Sequence, residues 1–415
     1  MTFFRRGRAP GAVLLMAVLG MLVAAVPAAP VTIPHPAPVP MKPGTPGAFT
    51  LRWGNDRRVQ ARMLRETVNP GGARVTVGSM LDAANRQAHT GNNTHCRHRA
   101  TGSGGALHGV HVAGFYCLRH DDATDPDWSP QGVSGTEDAR SGAGTVDRHK
   151  AIVFSWHAGP PGGSGTGTRL SFLDTATKRY IHVLLVVPNA FGTDYSEVSV
   201  HAGGIAWYRN YLFVTANQGG LHVYDTRNLL RLAHNPKASV SRHCPTGRQE
   251  PGGSYCGRGY DYLLPEIGRW NNPNSATTRY DSMALERAPG RAPEFLTSEY
   301  RTSGVGQVAR WTDTELTGFH GTIHPYRAWF QPVRYVQGAF SRGCYYFNTG
   351  GGGSGNRDLV VANATGNHRT PVSRTGGRGL QDLYWLRSAE QLWTLTEHPG
   401  DGKRVLYGVS RPACP

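Results

Sequence analysis

The run VSVHAGGIAWYRNYLFVTANQGGLHVYDTRNL, residues 198–229, decides the fold class. It divides into three short apolar runs, Gly204 to Tyr208, Tyr211 to Ala216 and Leu221 to Tyr224. Arg209-Asn210 and Asn217-Gln218-Gly219-Gly220 separate them. The runs are rich in β-branched and aromatic residues and the gaps hold turn formers, so the stretch reads as an antiparallel meander. One meander cannot bury both of its faces, whereas a ring of them can.

The pattern recurs in order. A polar or glycine pair followed by an aliphatic residue appears at Gln131-Gly132-Val133, Gly203-Gly204-Ile205, Ser282-Met283-Ala284, Gln337-Gly338-Ala339 and Gln381-Asp382-Leu383. A second apolar run follows each: Ala151 to Trp156, Tyr211 to Ala216, Glu294 to Glu299, Cys344 to Asn348 and Leu392 to Glu397. Third runs close the units at Leu170 to Thr175, Leu221 to Thr226, Val308 to Thr314, Asp358 to Asn363 and Arg404 to Val409, the first three ending on Asp-Thr. Five such units predict an all-β fold, a β-propeller of about five blades spanning 126–415, with disulfide-stapled loop insertions. A two-sheet β-sandwich with similar strands is the alternative.

Ahead of the units, Arg5, Arg6 and Arg8 precede an apolar run from Ala12 to Val26 and the small residues Pro27-Ala28-Ala29. This reads as a secretory signal over 1–29, since a membrane anchor needs about 20 apolar residues. Residues 30–48 are proline-rich and read as an extended linker, and 49–125 as an N-terminal extension carrying a disulfide. The 54 glycines and 28 prolines favour short strands and turns, and no long stretch keeps a helical period. The best short helix covers Ser79 to Ala84, with Ser79 as its N-cap.

The formal charge is +16, and loss of Arg5, Arg6 and Arg8 with the leader leaves +13. Attraction to a cell-wall polyanion is one reading. The other is coding bias plus solubility, because the arginines are scattered and form no basic run. No specific nucleic-acid module is present.

Six cysteines behind a leader imply three disulfides and an oxidising, extracellular location. Fifteen pairings are possible; proximity favours Cys96 with Cys117 and Cys244 with Cys256, leaving Cys344 with Cys414. Such a bridge would hold the closing strand, although Val110 to Tyr116 or Leu51 to Trp53 could close the ring instead. His95, His98, His108 and His111 crowd the first bridge, but with the cysteines oxidised and no carboxylate nearby no metal site is assigned. The stretch 234–259 reads as a stapled loop over one face.

In a propeller the inner strands begin near one mouth of the central channel, so Gln131, His201, Asp281, Gln337, Gln381 and Asp382 are expected to converge there. Such residues either bind a ligand or satisfy the hub. For glycoside hydrolysis, Asp281 and Asp382 would be the carboxylate pair, with His201 or Glu299 modulating. For a polysaccharide lyase, His201, Tyr300 and Arg301 would be the residues of interest. For lectin-like binding, Trp128, Trp270 and Trp329 fall in loop-like contexts and offer faces for sugars, beside Gln131, Gln337 and Gln381. Esterase, nucleotide-binding and zincin motifs are missing.

The strings Trp128 to Val133, His201 to Ile205, Gln381 to Leu383 and LWTLTEHPG, Leu392 to Gly400, resemble a group of exported actinobacterial proteins of propeller-like character. That resemblance implies export and fold, and adds no catalytic residue. The expectation is a secreted monomer that binds or processes extracellular carbohydrate, uses no cofactor and leaves the membrane after signal cleavage. A protein-interaction module at the cell surface is the further alternative.

Overall fold

The computed structural model describes residues 37–69, 74–159, 167–232, 240–241, 255–350, 355–364 and 371–415. The leader read over 1–29 and Cys244 lie outside them.

Strands dominate the described residues, and twenty of them form five four-stranded antiparallel units. The first is Trp128–Gly135, Ala151–Ala158, Thr168–Asp174 and Arg179–Pro188; the second is Ile205–Tyr208, Tyr211–Thr215, Gly220–Asp225 and Tyr262–Asn271. The third is Ser282–Glu286, Glu294–Ser298, Gln307–Thr312 and Arg327–Phe330. Val336–Arg342, Cys344–Thr349, Asp358–Ala362 and Val372–Thr375 form the fourth. Tyr384–Leu386, Gln391–Leu395, Val405–Ser410 and Gly114–Cys117 form the fifth. The three runs read in each sequence unit therefore coincide with the first three strands of these five.

Packing arranges the units in a propeller-like ring. Phe172 of the first unit packs with Trp207 and Val214 of the second, and Phe213 of the second with Met283 and Phe295 of the third. Val308 of the third meets Ala339 and Phe347 of the fourth, and Tyr346 and Val361 of the fourth meet Trp385 and Leu392 of the fifth. The circle closes where Leu395 and Leu406 of the fifth pack with Val133 and Phe154 of the first. Each face of each unit is thereby buried, at about 2 kcal/mol for every large apolar side chain removed from water.

The last unit takes its fourth strand from the beginning of the chain: Gly114–Cys117 pairs with Val405–Ser410. The segment read as an N-terminal extension is thus part of the ring. Leu51–Gly54 pairs with Tyr262–Asn271. The linker reading over 30–48 also needs correction from residue 37 onward. Lys42 and Pro43 pair with Phe330 and Trp329, and Met41 is buried. The first two units are fused by a parallel pairing of Tyr262–Pro265 with Val183–Val186.

The helical expectation shifts. The short helix is Val77–Asp82, capped by Thr76 rather than Ser79. Ser79 is its third residue: its amide donates to Thr76 Oγ1 at 3.1 Å, and its hydroxyl accepts from Thr76 N at 3.0 Å, the reciprocal box that satisfies two orphan donors. The longest helix, Arg58–Val68, has no sequence expectation because Val59 and Met63 lie exposed while Ala61 and Leu64 are buried, which smears the apolar stripe.

Disulfides join Cys96 to Cys117 and Cys344 to Cys414, with Cα separations of 5.9 and 5.8 Å. Cys256 is also disulfide-bonded.

Candidate functional site

The inner strands meet at backbone distance around the axis. A Cβ placed on Gly204 would lie 2.1 Å from Met283 N; one on Gly132 would lie 2.8 Å from Ile205 N, and one on Gly338 2.7 Å from Asp382 Cα. The recurring glycine at the head of the units is there because the next inner strand occupies the space of a side chain.

Polar side chains near the ends of the second strands then tie three of the units to the next. Ser155 Oγ accepts from Gly132 N and donates to Ala202 O, both at 2.7 Å. Thr215 Oγ1 accepts from Gly204 N at 2.8 Å and donates to Asp281 O at 3.1 Å. Asn348 Nδ2 donates to Gln381 O at 2.8 Å. Between the fifth unit and the first, Gln131 Nε2 donates to Glu397 Oε2 at 3.1 Å. Part of the polar character of the strand starts is therefore structural, since buried backbone groups need partners.

Asp382 belongs to this hub, and its catalytic reading is corrected on that ground. Its carboxyl has no exposed surface, and Oδ2 accepts from Val133 N at 3.3 Å and Ile205 N at 3.2 Å. Burial raises its pKa well above the usual carboxylate range, so it is a neutral pin between three inner strands. Glu299 is also committed: it accepts from Arg279 N, Gln307 N and the Arg301 guanidinium at 3.1, 3.0 and 2.6 Å. Arg301, held there, is not the free uronate-neutralising cation that the lyase reading needs.

The tryptophan expectations are corrected as well. Trp128 begins an inner strand, is buried, and lies with its ring under the Arg169 guanidinium at 4.3 Å. Trp270 is fully buried in a long strand and donates to Leu316 O at 3.0 Å. Trp329 is partly buried and packs on the Val308 and Phe347 cluster. None of the three offers an open stacking face.

What remains at the mouth is a group of titratable and amide side chains from several units. Asp281, at the head of the third unit, is buried, and its Oδ2 accepts from Tyr300 N at 2.8 Å. Burial pushes its carboxyl up to about 7. Glu397, at the end of the second strand of the fifth unit, is pushed up to about 7, again chiefly by burial, with Gln131 and Arg404 pulling it down. Burial and the neighbouring Tyr335 raise the Tyr300 hydroxyl, and the charges of Glu397 and Asp281 raise it further, so both carboxyls lie within electrostatic reach of that ring. His201 stacks on His157 with ring centroids 4.7 Å apart. Burial, and then His157, lower His201 to about 4, so it stays neutral in ordinary buffers.

Several buried polar atoms here have no hydrogen-bond partner among the described residues: Gln131 Oε1, both polar atoms of Gln381, His157 Nε2 and Arg404 Nη2. Gln381 does lie beside Glu397 and favours its ionised form, at a geometry short of a full hydrogen bond. An orphaned buried donor or acceptor costs about 1–3 kcal/mol, so their convergence suits a polar guest. Gln337 stands near them, partly buried against Gly350.

Of the sequence-expected set, Gln131 and Gln381 stand beside Glu397, and His201 stands beside the Asp281 backbone across Gly203. Glu397, His157 and Arg404 were not anticipated. The signal for Glu397 was present, because LWTLTE ends on a glutamate where EFLTSE ends on Glu299.

No family model and no curated protein matches the chain. Among solved structures, a GH43_1 enzyme from Xanthomonas citri complexed with xylose overlaps 69% of this chain and 90% of its own, at 9% identity and a TM-score of 0.36. A glucose dehydrogenase overlaps 64% and 79%, at 12% identity and a TM-score of 0.28. The computationally designed Ika8 protein overlaps 67% and 96%, at 9% identity and a TM-score of 0.22. Overlaps this loose carry no argument about the chemistry at the mouth.

Proposed function

We propose that the five units are the blades of a five-bladed propeller and that its mouth binds and hydrolyses carbohydrate, with Asp281 and Glu397 as the carboxylate pair. The observation that supports this is their convergence: Asp281, buried, and Glu397, partly buried, come from different blades, are each raised toward neutrality and both lie within electrostatic reach of Tyr300. Near pH 7 such a pair holds one protonated and one ionised member in a large share of molecules. Glycosidic cleavage asks for that, an acid for the leaving oxygen and a carboxylate on the other side of the ring. The amides of Gln131 and Gln381 and the neutral imidazoles of His157 and His201 supply donors and acceptors suited to hydroxyl groups.

Export is part of the same proposal. The two bridges, Cys96 to Cys117 and Cys344 to Cys414, support maturation in an oxidising compartment after removal of the leader.

The test is a screen of the purified mature protein against neutral and acidic polysaccharides, scoring retention, reducing ends and unsaturated ends. New reducing ends that vanish in both Asp281→Asn and Glu397→Gln support hydrolysis by this pair. Unsaturated ends would move the chemistry to elimination. Retention without product would make the mouth a binding site only.

A further inference from the structure

Each unit carries an arginine where its inner strand ends, at the opposite mouth from Asp281 and Glu397. They are Arg140, after the short helix Thr136–Ala139 that follows the first inner strand, then Arg209, Arg287, Arg342 and Arg387. The repetition is invisible as a sequence run, because the five are spread over nearly 250 residues. The ring gathers them.

Their contacts show the gathering. Arg387 donates to Arg140 O at 3.4 Å and to Gly142 O at 3.2 Å. Arg140 donates to the side chain of Asn210, beside Arg209, at 2.7 Å. Arg209 and Arg287 both lie over the Tyr208 ring, at 5.0 and 5.1 Å. Arg342 donates to Arg287 O at 3.1 Å. Those hydrogen-bond partners are neutral oxygens, and among the described residues no ion pair includes any of the five. The acids nearby are otherwise engaged. Glu137 accepts from Ser388 N at 2.8 Å, and Asp313 accepts from Tyr208 at 2.6 Å. Asp138 is buried, accepts from Ser134 Oγ at 2.8 Å, and burial pushes it up to about 8, so it is mostly uncharged at neutral pH.

Two further observations point to a ligand. Burial lowers the pKa of Arg287; Asp138 and Tyr208 beside it raise it, and the charges of Arg387 and Arg209 lower it again, so these cations stand close enough to repel one another. Arg209 sits at φ +56° in the two-residue turn between Tyr208 and Tyr211, a conformation that Asn or Gly adopts at lower cost. Beside the ring lies a cavity of ≈ 260 Å³ lined in part by Arg74, Arg140, Asp147 and Arg227, the last paired with Asp225.

We infer that this arginine ring binds an acidic polysaccharide, its carboxylates meeting the guanidinium edges that the backbone carbonyls leave free, at the face opposite the hydrolytic mouth. Guanidinium forks match carboxylate geometry in pairs, and a ring of them binds a polyanion with a marked dependence on salt. The choice of a polysaccharide over another oxyanion polymer rests on the carbohydrate reading of the other mouth; the anion site does not.

The experiment measures binding of the mature chain to polygalacturonate, dextran and inorganic polyphosphate at low and high salt. Wild type is expected to bind polygalacturonate at low salt, release it at high salt and ignore dextran. Arg209→Asn, which relieves the turn, is expected to weaken binding roughly threefold, and its combination with Arg387→Gln roughly tenfold or more, with thermal stability retained in the single variant. Asp281→Asn is expected to bind as wild type does, so loss of hydrolysis leaves this result standing. Failure of wild type to bind polygalacturonate overturns the inference. Equal binding by the arginine variants, or capture of polyphosphate alone, overturns it too.

Discussion

Gln131 donates to Glu397 across 3.1 Å, joining the first inner strand to the end of a strand 266 residues later. The bond does two things at once. It is the side-chain link at the seam where the ring closes, and it orients a carboxyl at the mouth while the other end of the same amide, Gln131 Oε1, stays without a partner. Closure and the candidate site are therefore one structure, and the site exists only in the closed ring. Slightly earlier in the second strands of other units, Ser155, Thr215 and Asn348 bond to backbone, and Glu299, at the place corresponding to Glu397, is held by Arg301 and two amides.

Burial of Asp281 predicts a site that is unstable where it is active. Its folded pKa is about 7 against an unfolded value near 3.8. A carboxyl raised on folding contributes stability below its unfolded pKa, and that contribution is lost as pH rises from about 4 through about 7. Asp281→Asn is therefore expected to match wild type in stability near pH 4 and to exceed it by an amount of order 2 kcal/mol at pH 8, while losing activity. Denaturant titrations at the two pH values check this. A variant less stable than wild type at pH 8 would show that Asp281 is a structural carboxylate.

Activity should follow the same two groups. Asp281 and Glu397 both titrate near 7, so hydrolysis requiring one proton between them is expected to peak near neutral pH and fall on both sides. In Gln131→Leu, which removes the donor that favours the ionised form of Glu397, the alkaline limb should move to higher pH. An unmoved profile would mean that Glu397 does not carry the titrating proton.

Asp382 separates hub from chemistry. Its Oδ2 holds the amides of Val133 and Ile205, and the carboxyl is neutral in the fold. Asp382→Asn keeps an acceptor oxygen of the same shape, so stability should change by less than about 1 kcal/mol and activity should persist. Asp382→Ala orphans two buried amides and should cost about 2–5 kcal/mol. Loss of turnover in a well-folded Asp382→Asn protein would return this residue to the catalytic set.

The three inner strands of each unit were legible because they follow one another through short turns, as Tyr208 to Tyr211 shows. Fourth strands were harder to read. That of the second unit, Tyr262–Asn271, follows a long insertion, and that of the fifth, Gly114–Cys117, comes from the other end of the chain. The mouth as a place was legible, since strand order alone puts Gln131, Asp281 and Gln381 at it. Which carboxyl is free there was not. Asp382 is consumed by amides of two other units, and that depends on how closely inner strands approach, a distance fixed by Gly132 and Gly204 rather than by any local pattern. Trp128 and Trp270 looked like loop residues for a related reason: their strands run on past proline and asparagine neighbours into the ring's interior.

Gly204 predicts a sharp steric threshold. A Cβ there would stand 2.1 Å from Met283 N and 2.5 Å from Ser282 C, both backbone atoms of the next inner strand. Neither can swing aside as a flexible side chain would, so Gly204→Ala must push two units apart. The expected cost is about 3 kcal/mol or more, at the upper end for overpacking, with loss of the Thr215 to Asp281 link. Gly142→Ala, where nothing lies within 4 Å, serves as the comparison: φ is +67° at that position, so its cost is only the backbone term of about 1 kcal/mol. Equal melting temperatures for the two variants would refute the close approach of the inner strands.

The Cys344 to Cys414 bridge predicts where the ring opens. It spans 70 residues and encloses the first three strands of the fifth unit, while Tyr346 donates to Pro412 O at 3.1 Å and lays the chain end over the fourth. On the other side that unit is held by Gly114–Cys117, itself tied through Cys117 to Cys96. A cross-link over a loop of this length restricts the unfolded chain by up to about 4 kcal/mol. In Cys344→Ser/Cys414→Ser the fifth unit keeps its neighbours' packing but loses the staple, so local opening there becomes less costly than opening elsewhere. Hydrogen exchange should show amides of Gln391–Leu395 and Val405–Ser410 accelerating while those of Tyr211–Thr215 hold. Because the fifth unit carries Glu397 and receives Gln131, activity should fall in parallel with that exchange and before global unfolding. Uniform acceleration across all five units would mean that the bridge stabilises the whole ring and has no special relation to its seam.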